Sequence, residues 1–168
     1  NAALASRIPA RVWRQARDVA IDFHDRPYYG KTSQEKGLWI RARAKDGTTR
    51  FYRIATAYVM LQGLRVTLAI RFVLPGEETV EVLKILLQQA KKLGICIKRL
   101  FLDKGFGCIA VMKYLTDQGL SAVIACTIRG KTGGTRALCQ GRGSYRPTHT
   151  FRGKDGLNGL IFIFLDGI

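Results

Sequence analysis

The feature that most constrains the fold is a helical segment set between two strand-like runs. "EETVEVLKILLQQAKKLG", residues 77–94, places Val80, Leu83, Leu87 and Ala90 at spacings of three and four, the period of one helix face. Glu77, Glu78 and Glu81 stand in its first turns and Lys91 and Lys92 in its last, which complements the helix dipole. Gly94 follows as a stop. Before this segment lies "LRVTLAIRFVL" and after it "ICIKRLFLD". A second, shorter helical pattern, "CIAVMKYLTDQG", then separates "ICIKRLFLD" from "SAVIACTI". Strands joined through helices need crossover connections, and such strands run parallel in one sheet.

The first half of the chain has a different texture. "DVAIDF" reads as a strand, and the turn chemistry of "HDRPYYGK", with Pro27 and Gly30, is expected to stop it. A polar stretch runs on to about Gly37. "LWIRARAKDGTTRFYRIATAYVM" reads as two strands about Asp46-Gly47, a strong hairpin signal. Gly63 turns the chain into "LRVTLAIRFVL", which Pro75 and Gly76 end. Hairpin strands are antiparallel neighbours. The expected fold is therefore α/β, a mixed sheet of antiparallel hairpin strands and parallel strands with helices against its faces. With 168 residues, 47% of them apolar, the chain suits one compact domain.

The charge points to a class of partner. There are 28 Lys and Arg against 12 Asp and Glu, a formal net charge of +16. Such an excess favours a polyanion, because basic groups that neutralise phosphates release condensed counterions. Nucleic acid comes first and an anionic membrane surface second. Residues 1–17 alternate arginines with small apolar residues and hold no acid. Residues 129–154 hold seven Lys or Arg, six Gly and no acid. The four cysteines, Cys96, Cys108, Cys126 and Cys139, form no C-x-x-C, and the histidines are His24 and His149 alone, which argues against zinc. Cys96 and Cys126 lie in apolar runs and read as small core residues. No disulfide framework is expected, and the cytoplasm is the expected compartment. No apolar run approaches the roughly 18 residues of a membrane span, and the amino end has no signal-peptide pattern. Both ends read as cut from a longer protein: the chain lacks an initiator Met and stops just after "GLIFIFL".

Two carboxylates carry the chemistry. Asp22 lies near the end of the first strand, and Asp103 ends the strand after the long helix. If these strands are parallel neighbours, both side chains emerge at one sheet edge, where open α/β sheets place their sites. Convergent carboxylates in a basic chain suit Mg2+ or Mn2+, hard ions that take oxygen ligands. Two such ions about 3.5–4 Å apart activate an attacking oxygen and stabilise a leaving one in phosphodiester displacement.

At these residues the chain resembles a known family. "VAIDFHDRPYYGK" followed by "FLDKGF" resembles the first two motifs of insertion-sequence transposases of the DDE type, whose catalytic domain is ribonuclease-H-like. Asp103-Lys104-Gly105-Phe106 matches the Asp-x-Gly-Phe form of the second motif. Asp22 to Gly30 resembles an Asp-x-His-Asp-x-x-Tyr-Tyr-Gly form found in archaea and bacteria. The resemblance covers roughly residues 18–130. It implies a ribonuclease-H-like mixed sheet flanked by helices, with Asp22 and Asp103 as catalytic metal ligands for two Mg2+ (or Mn2+) ions. It further implies cleavage and strand transfer on DNA, at element ends and target, in a prokaryotic cytoplasm where the protein joins the nucleoid when bound. The full-length protein would be compatible with a homodimer, and no membrane partner is implied. The division it suggests is a basic lead-in over 1–17, the core over 18–130, and a basic Gly-rich insertion with a further strand over 131–168.

The chain departs from the family at the third carboxylate, a Glu on a late helix. Glu35, Glu77, Glu78 and Glu81 all precede the second motif. The stretch from 129 and "LIFIFL" resemble the start of a β-rich insertion found in some members, so the third residue is expected beyond Ile168. Asp155 and Asp166 are substitutes of last resort. Residues 1–168 alone are therefore expected to be inactive.

His24 and Asp25 are auxiliary candidates. His24 either assists at metal or phosphate or orients a neighbouring carboxylate, and Asp25 is expected to accept turn amides rather than ligate. Tyr28 and Tyr29 pack over the sheet edge or stack on a base. Lys31, Lys104, Arg129, Lys131, Arg136, Arg142 and Arg146 are candidate DNA contacts, though each alone is equally a solvated charge. Two other classes fit part of the sequence. A metal-dependent nuclease on the same fold fits the carboxylates. A non-catalytic basic nucleic-acid-binding protein accounts for the charge but not for the placement of Asp22 and Asp103.

Overall fold

The computed structural model describes residues 6, 15–31, 37–128, 131–132 and 135–138, and the backbone of 148–152 and 158–162. The strands are β1 (Arg17–Pro27), β2 (Ile40–Lys45), β3 (Thr48–Leu61), β4 (Leu64–Val73), β5 (Ile97–Leu102) and β6 (Ala122–Ile124). Helix α1 (Thr79–Lys92) joins β4 to β5, and α2 (Ile109–Asp117) joins β5 to β6. A short 3-10 turn covers Lys104–Phe106, and α3 (Thr135–Leu138) is a single turn.

β3 organises the antiparallel half of the sheet. Along one edge it pairs with β1 from Val19↔Val59 to Pro27↔Phe51. Phe51 also pairs with Ile40 of β2, and Arg53 pairs with Val73 of β4. β2 and β4 therefore follow one another along the other edge of β3. Beyond β1 the sheet is parallel: β1 pairs with β5, and β5 with β6. The spatial order is β4–β3–β1–β5–β6, with β2 continuing the β4 edge. The helical crossovers thus produce the parallel neighbours that the sequence pattern requires.

One face of this sheet carries the core. Val19 and Ile21 of β1, Ala55, Ala57 and Val59 of β3, and Leu100 and Leu102 of β5 are buried, at the alternate positions that a strand turns to one side. α1 meets them with Val80, Val82, Leu83, Leu86, Leu87 and Ala90, and α2 with Val111 and Leu115. Each fully buried Leu contributes about 1.5–3 kcal/mol relative to leaving it in water. At the junction of β4 and α1, Arg71 Nη2 lies 2.6 Å from Glu77 Oε1, and Glu77 Oε2 accepts the Leu74 amide at 3.1 Å. This pair fixes the angle at which the helix leaves the sheet.

Several expectations need correction. β1 does not stop at Phe23 but runs on to Pro27, because β3 is long enough to pair with it throughout. The strand expected over "SAVIACTI" is only Ala122–Ile124, since its partner β5 ends at Leu102, opposite Ile124. Cys96 and Cys126 are exposed rather than core residues. Ile95 takes the buried place after α1, which turns Cys96 outward. The stretch expected to be irregular includes β7 (Thr148–Arg152), which pairs antiparallel with β8 (Asn158–Phe162) in a separate two-stranded sheet. Among the described residues no helix is long and apolar enough to cross a membrane.

Candidate active site at the carboxyl ends of the parallel strands

Ile21 of β1 pairs with Leu102 of β5, so the next residues on the two parallel strands are Asp22 and Asp103. The Asp103 amide donates to the Ile21 carbonyl at 3.2 Å, which closes the ladder at this step. Neighbouring strands lie about 4.8 Å apart, so the two carboxylates spring from adjacent backbone positions. Asp22 is in mid-strand with respect to β3 but at the end of the parallel pairing. Strand alternation sets it on the face opposite Ile21, with His24 two residues on. Asp103 begins the 3-10 turn and its Oδ1 accepts the Lys104 amide at 2.7 Å.

The two motifs are locked together by aromatic packing. Phe23 and Phe106 stack at 4.3 Å between centroids with an interplanar angle of 5°, and Phe106 is fully buried. A Cβ at Gly105 would stand 2.8 Å from Phe23 Cδ2 and 3.5 Å from Asp103 Oδ2. Only glycine lets the turn close over the Phe23 ring. The residue types of Asp-x-Gly-Phe thus follow from how the turn seats against β1.

Around Asp22 lies a group of polar side chains on the same face. His24 Nε2 is 3.5 Å from Asp22 Oδ2. Thr56 of β3 pairs with Asp22 across the strands, and Arg65 Nη2 donates to Thr56 Oγ1 at 2.8 Å. The same Nη2 lies 3.3 Å from His24 Nε2. Both contacts fall on one ring nitrogen, which accepts from Arg65 only without a proton and donates to Asp22 only with one. His24 thus stands beside both the carboxylate and the guanidinium.

Asp25 is a strand residue, not a turn acceptor. It faces Arg53 directly across β1 and β3 and takes a bidentate pair, Nε to Oδ1 and Nη2 to Oδ2, both at 2.8 Å. The Asp25 hydrogen bond raises the Arg53 pKa, against partial burial, and the charges of Asp25 and Asp103 add to it. Asp25 is thereby occupied, and Arg53 stands charged between the two motifs. Sequence reasoning missed Arg53, Thr56 and Arg65, because only the pairing of β1 with β3 and β4 brings them to the site.

Beyond Pro27 the chain forms a packed knot. Tyr28 is buried, stacks on Trp39 at 6.1 Å and meets Tyr52 edge-on at 5.2 Å. Its hydroxyl donates to the Lys31 carbonyl at 3.2 Å, and Arg50 Nη1 donates to the Gly30 carbonyl at 2.9 Å. A Cβ at Gly30 would strike the Tyr28 ring. Tyr29 is exposed, with its hydroxyl donating to the Asp46 carbonyl at 2.7 Å. Lys31, Lys104, Lys131 and Arg136 are exposed. Arg129, Arg142, Arg146, Asp155 and Asp166 lie outside the described residues, as does Glu35.

The hydrogen bonding tests whether these residues suit a divalent cation. Among the described residues Asp22 has no donor nearer than His24, and Asp103 uses only Oδ1. Half-buried carboxylates with open acceptor positions fit a hard cation. Two carboxylates supply fewer oxygens than the roughly six such an ion takes. Among the described residues no three His, Cys, Asp or Glu are grouped closely enough to hold a metal. Water, a substrate oxygen and a further residue would have to complete the shell.

No protein-family model and no curated protein matches the chain. Among solved structures it is similar to the piggyBac transposase of a synaptic complex with hairpin DNA, at 15% sequence identity and a TM-score of 0.52. The match covers 89% of this chain and 33% of that one, so the chain spans about a third of that transposase's length. At this identity the likeness is one of fold: the chain has a transposase-like mixed α/β fold.

Proposed function

We propose that the chain is the core of a DDE-type transposase of the insertion-sequence kind, with a ribonuclease-H-like sheet and a metal-dependent site for cutting and rejoining DNA. The observation that carries this reading is the placement of Asp22 and Asp103 on adjacent parallel strands, one step beyond Ile21↔Leu102. The strand order β4–β3–β1–β5–β6 and the likeness in fold to a DNA-bound transposase support it. So does the net charge of +16, which suits a phosphate backbone.

In this reading Asp22 and Asp103 hold Mg2+ or Mn2+, which when bound activates the attacking oxygen and stabilises the leaving one. Phe23, Gly105 and Phe106 keep the two carboxylates at fixed separation. His24 stands between the Asp22 carboxylate and Arg65. Arg53 neutralises Asp25, so that carboxylate adds no repulsion of DNA to that of Asp22 and Asp103. Lys104, next to Asp103, and Lys31, beyond the end of β1, contact phosphates. Residues 131–168 belong to an insertion beyond the core, and the remaining metal ligand comes from elsewhere in the full-length protein.

A Mn2+ titration of the full 168-residue chain, followed by electron paramagnetic resonance, tests the proposal. Asp22→Asn and Asp103→Asn should each weaken binding at least about tenfold, since each removes a charged ligand. Asp117→Asn, on α2, should leave it unchanged. Wild-type affinity in both site variants would overturn the reading.

A further inference from the structure

We propose that Arg65 is a substrate-positioning residue that holds a phosphate oxygen of the DNA beside Asp22. This rests on the reading of Asp22 and Asp103 as metal ligands. Arg65 is the second residue of β4, level with Met60, yet its side chain runs along the open face towards the site. Its guanidinium carbon lies 3.8 Å from the centroid of the Tyr58 ring. Nη2 reaches Thr56, the residue level with Asp22, and His24. Stacking and two polar contacts hold the group still, so little conformational entropy is lost when it binds.

Three other arginines of the sheet are each committed to a carboxylate, and Arg50 is turned to the Gly30 carbonyl and the Tyr28 and Trp39 rings, beyond Pro27. Arg53 is paired with Asp25, Arg71 with Glu77 and Arg99 with Asp18. Arg65 is held by a hydroxyl, an imidazole nitrogen and an aromatic ring. Among the described residues it forms no ion pair, and Nε and Nη1 have no partner. A positioned guanidinium whose charge is not neutralised is an anion site, and its planar donor fork matches phosphate oxygens. Its distance from Asp22, one side chain away through His24, places that anion where a phosphate bound at the carboxylates would present a second oxygen.

The test measures fluorescence anisotropy of the full chain with a labelled mixed-sequence 20-mer oligonucleotide, without and with Mn2+. Wild type should gain affinity with Mn2+, and Asp22→Ala should lose that gain. Arg65→Ala and Arg65→Gln should each reduce the gain about tenfold, the scale of one charge-assisted hydrogen bond. Arg65→Lys should retain part of it, and thermal melts of all three should match wild type, because Arg65 is exposed. If Asp22→Ala loses the gain and the Arg65 variants keep it, the Arg65 proposal falls and the metal reading stands. If wild type shows no gain, both fall.

Discussion

A Cβ at position 105 would stand 2.8 Å from Phe23 Cδ2 and 3.1 Å from Cε2, and Phe23 cannot retreat without leaving Phe106. Gly105→Ala should therefore cost about 1–3 kcal/mol, the usual penalty of overpacking a well-filled site. It should also weaken Mn2+ binding, because the displaced turn begins at Asp103. Lys104→Ala, its exposed neighbour, should alter neither stability nor metal affinity appreciably. Urea denaturation and the Mn2+ titration read both effects, and an unchanged Gly105→Ala protein would show that the turn has slack. The same residue shows what sequence can reveal. The motif is recognisable as a string, but Asp22 and Asp103 meet only if β1 and β5 are parallel neighbours, a condition that the sequence poses and the β1–β5 ladder fulfils. The reason for its glycine was not legible, because it lies in a ring 82 residues earlier in the chain (105 − 23 = 82). Asp25 was misjudged for a related reason: its partner Arg53 is set by the β1–β3 register, which no local pattern encodes.

The hairpins around β3 depend on a different property of glycine. Asp46 and Gly47 have φ of 51° and 73°, and Gln62 and Gly63 have 50° and 81°. Both loops have two left-handed residues, the geometry that matches the twist of the flanking strands. Nothing lies within 4 Å of a Cβ built at Gly47 or Gly63, so a substitution meets strain without a clash. Gly63→Ala should destabilise by about 1–2 kcal/mol, the cost of left-handed backbone for a residue with a Cβ. Gly63→Asn should cost less, since asparagine tolerates that region. Equal losses for Ala and Asn in urea denaturation would point to a steric cause instead. The Asp46-Gly47 signal was readable because the dipeptide itself sets the turn. The true length of β1 was not, since Pro27 reads as a breaker until β3 is seen to pair with it. Pro27 closes that strand, where an absent amide interrupts no further ladder.

At the scale of the molecule, the sheet is covered unevenly. α1 and α2 pack on the face of Ile21, while the face of Asp22 carries Met60, Ile70 and Phe72 with 58%, 46% and 57% of their surface exposed. Ile70 is level with Thr56 and Asp22, and Phe72 with Ile54 and His24. The candidate site is therefore set into a broad apolar surface, of a kind that marks an interaction site or an aggregation liability. The strand pattern did not announce this, because every strand alternates and alternation does not say which face a helix will cover. Met60→Thr with Ile70→Thr keeps β-branched or strand-compatible residues at both positions and removes two exposed apolar side chains. The double variant should fold with stability within about 0.5 kcal/mol per site of wild type, as for exposed substitutions generally. Its binding of the hydrophobic dye ANS should fall, and its tendency to aggregate with it. Urea denaturation and dye fluorescence on the 168-residue chain decide the matter. A loss well above 2 kcal/mol, on the scale of a core truncation, would mean that this face is packed in the folded chain by residues beyond those described.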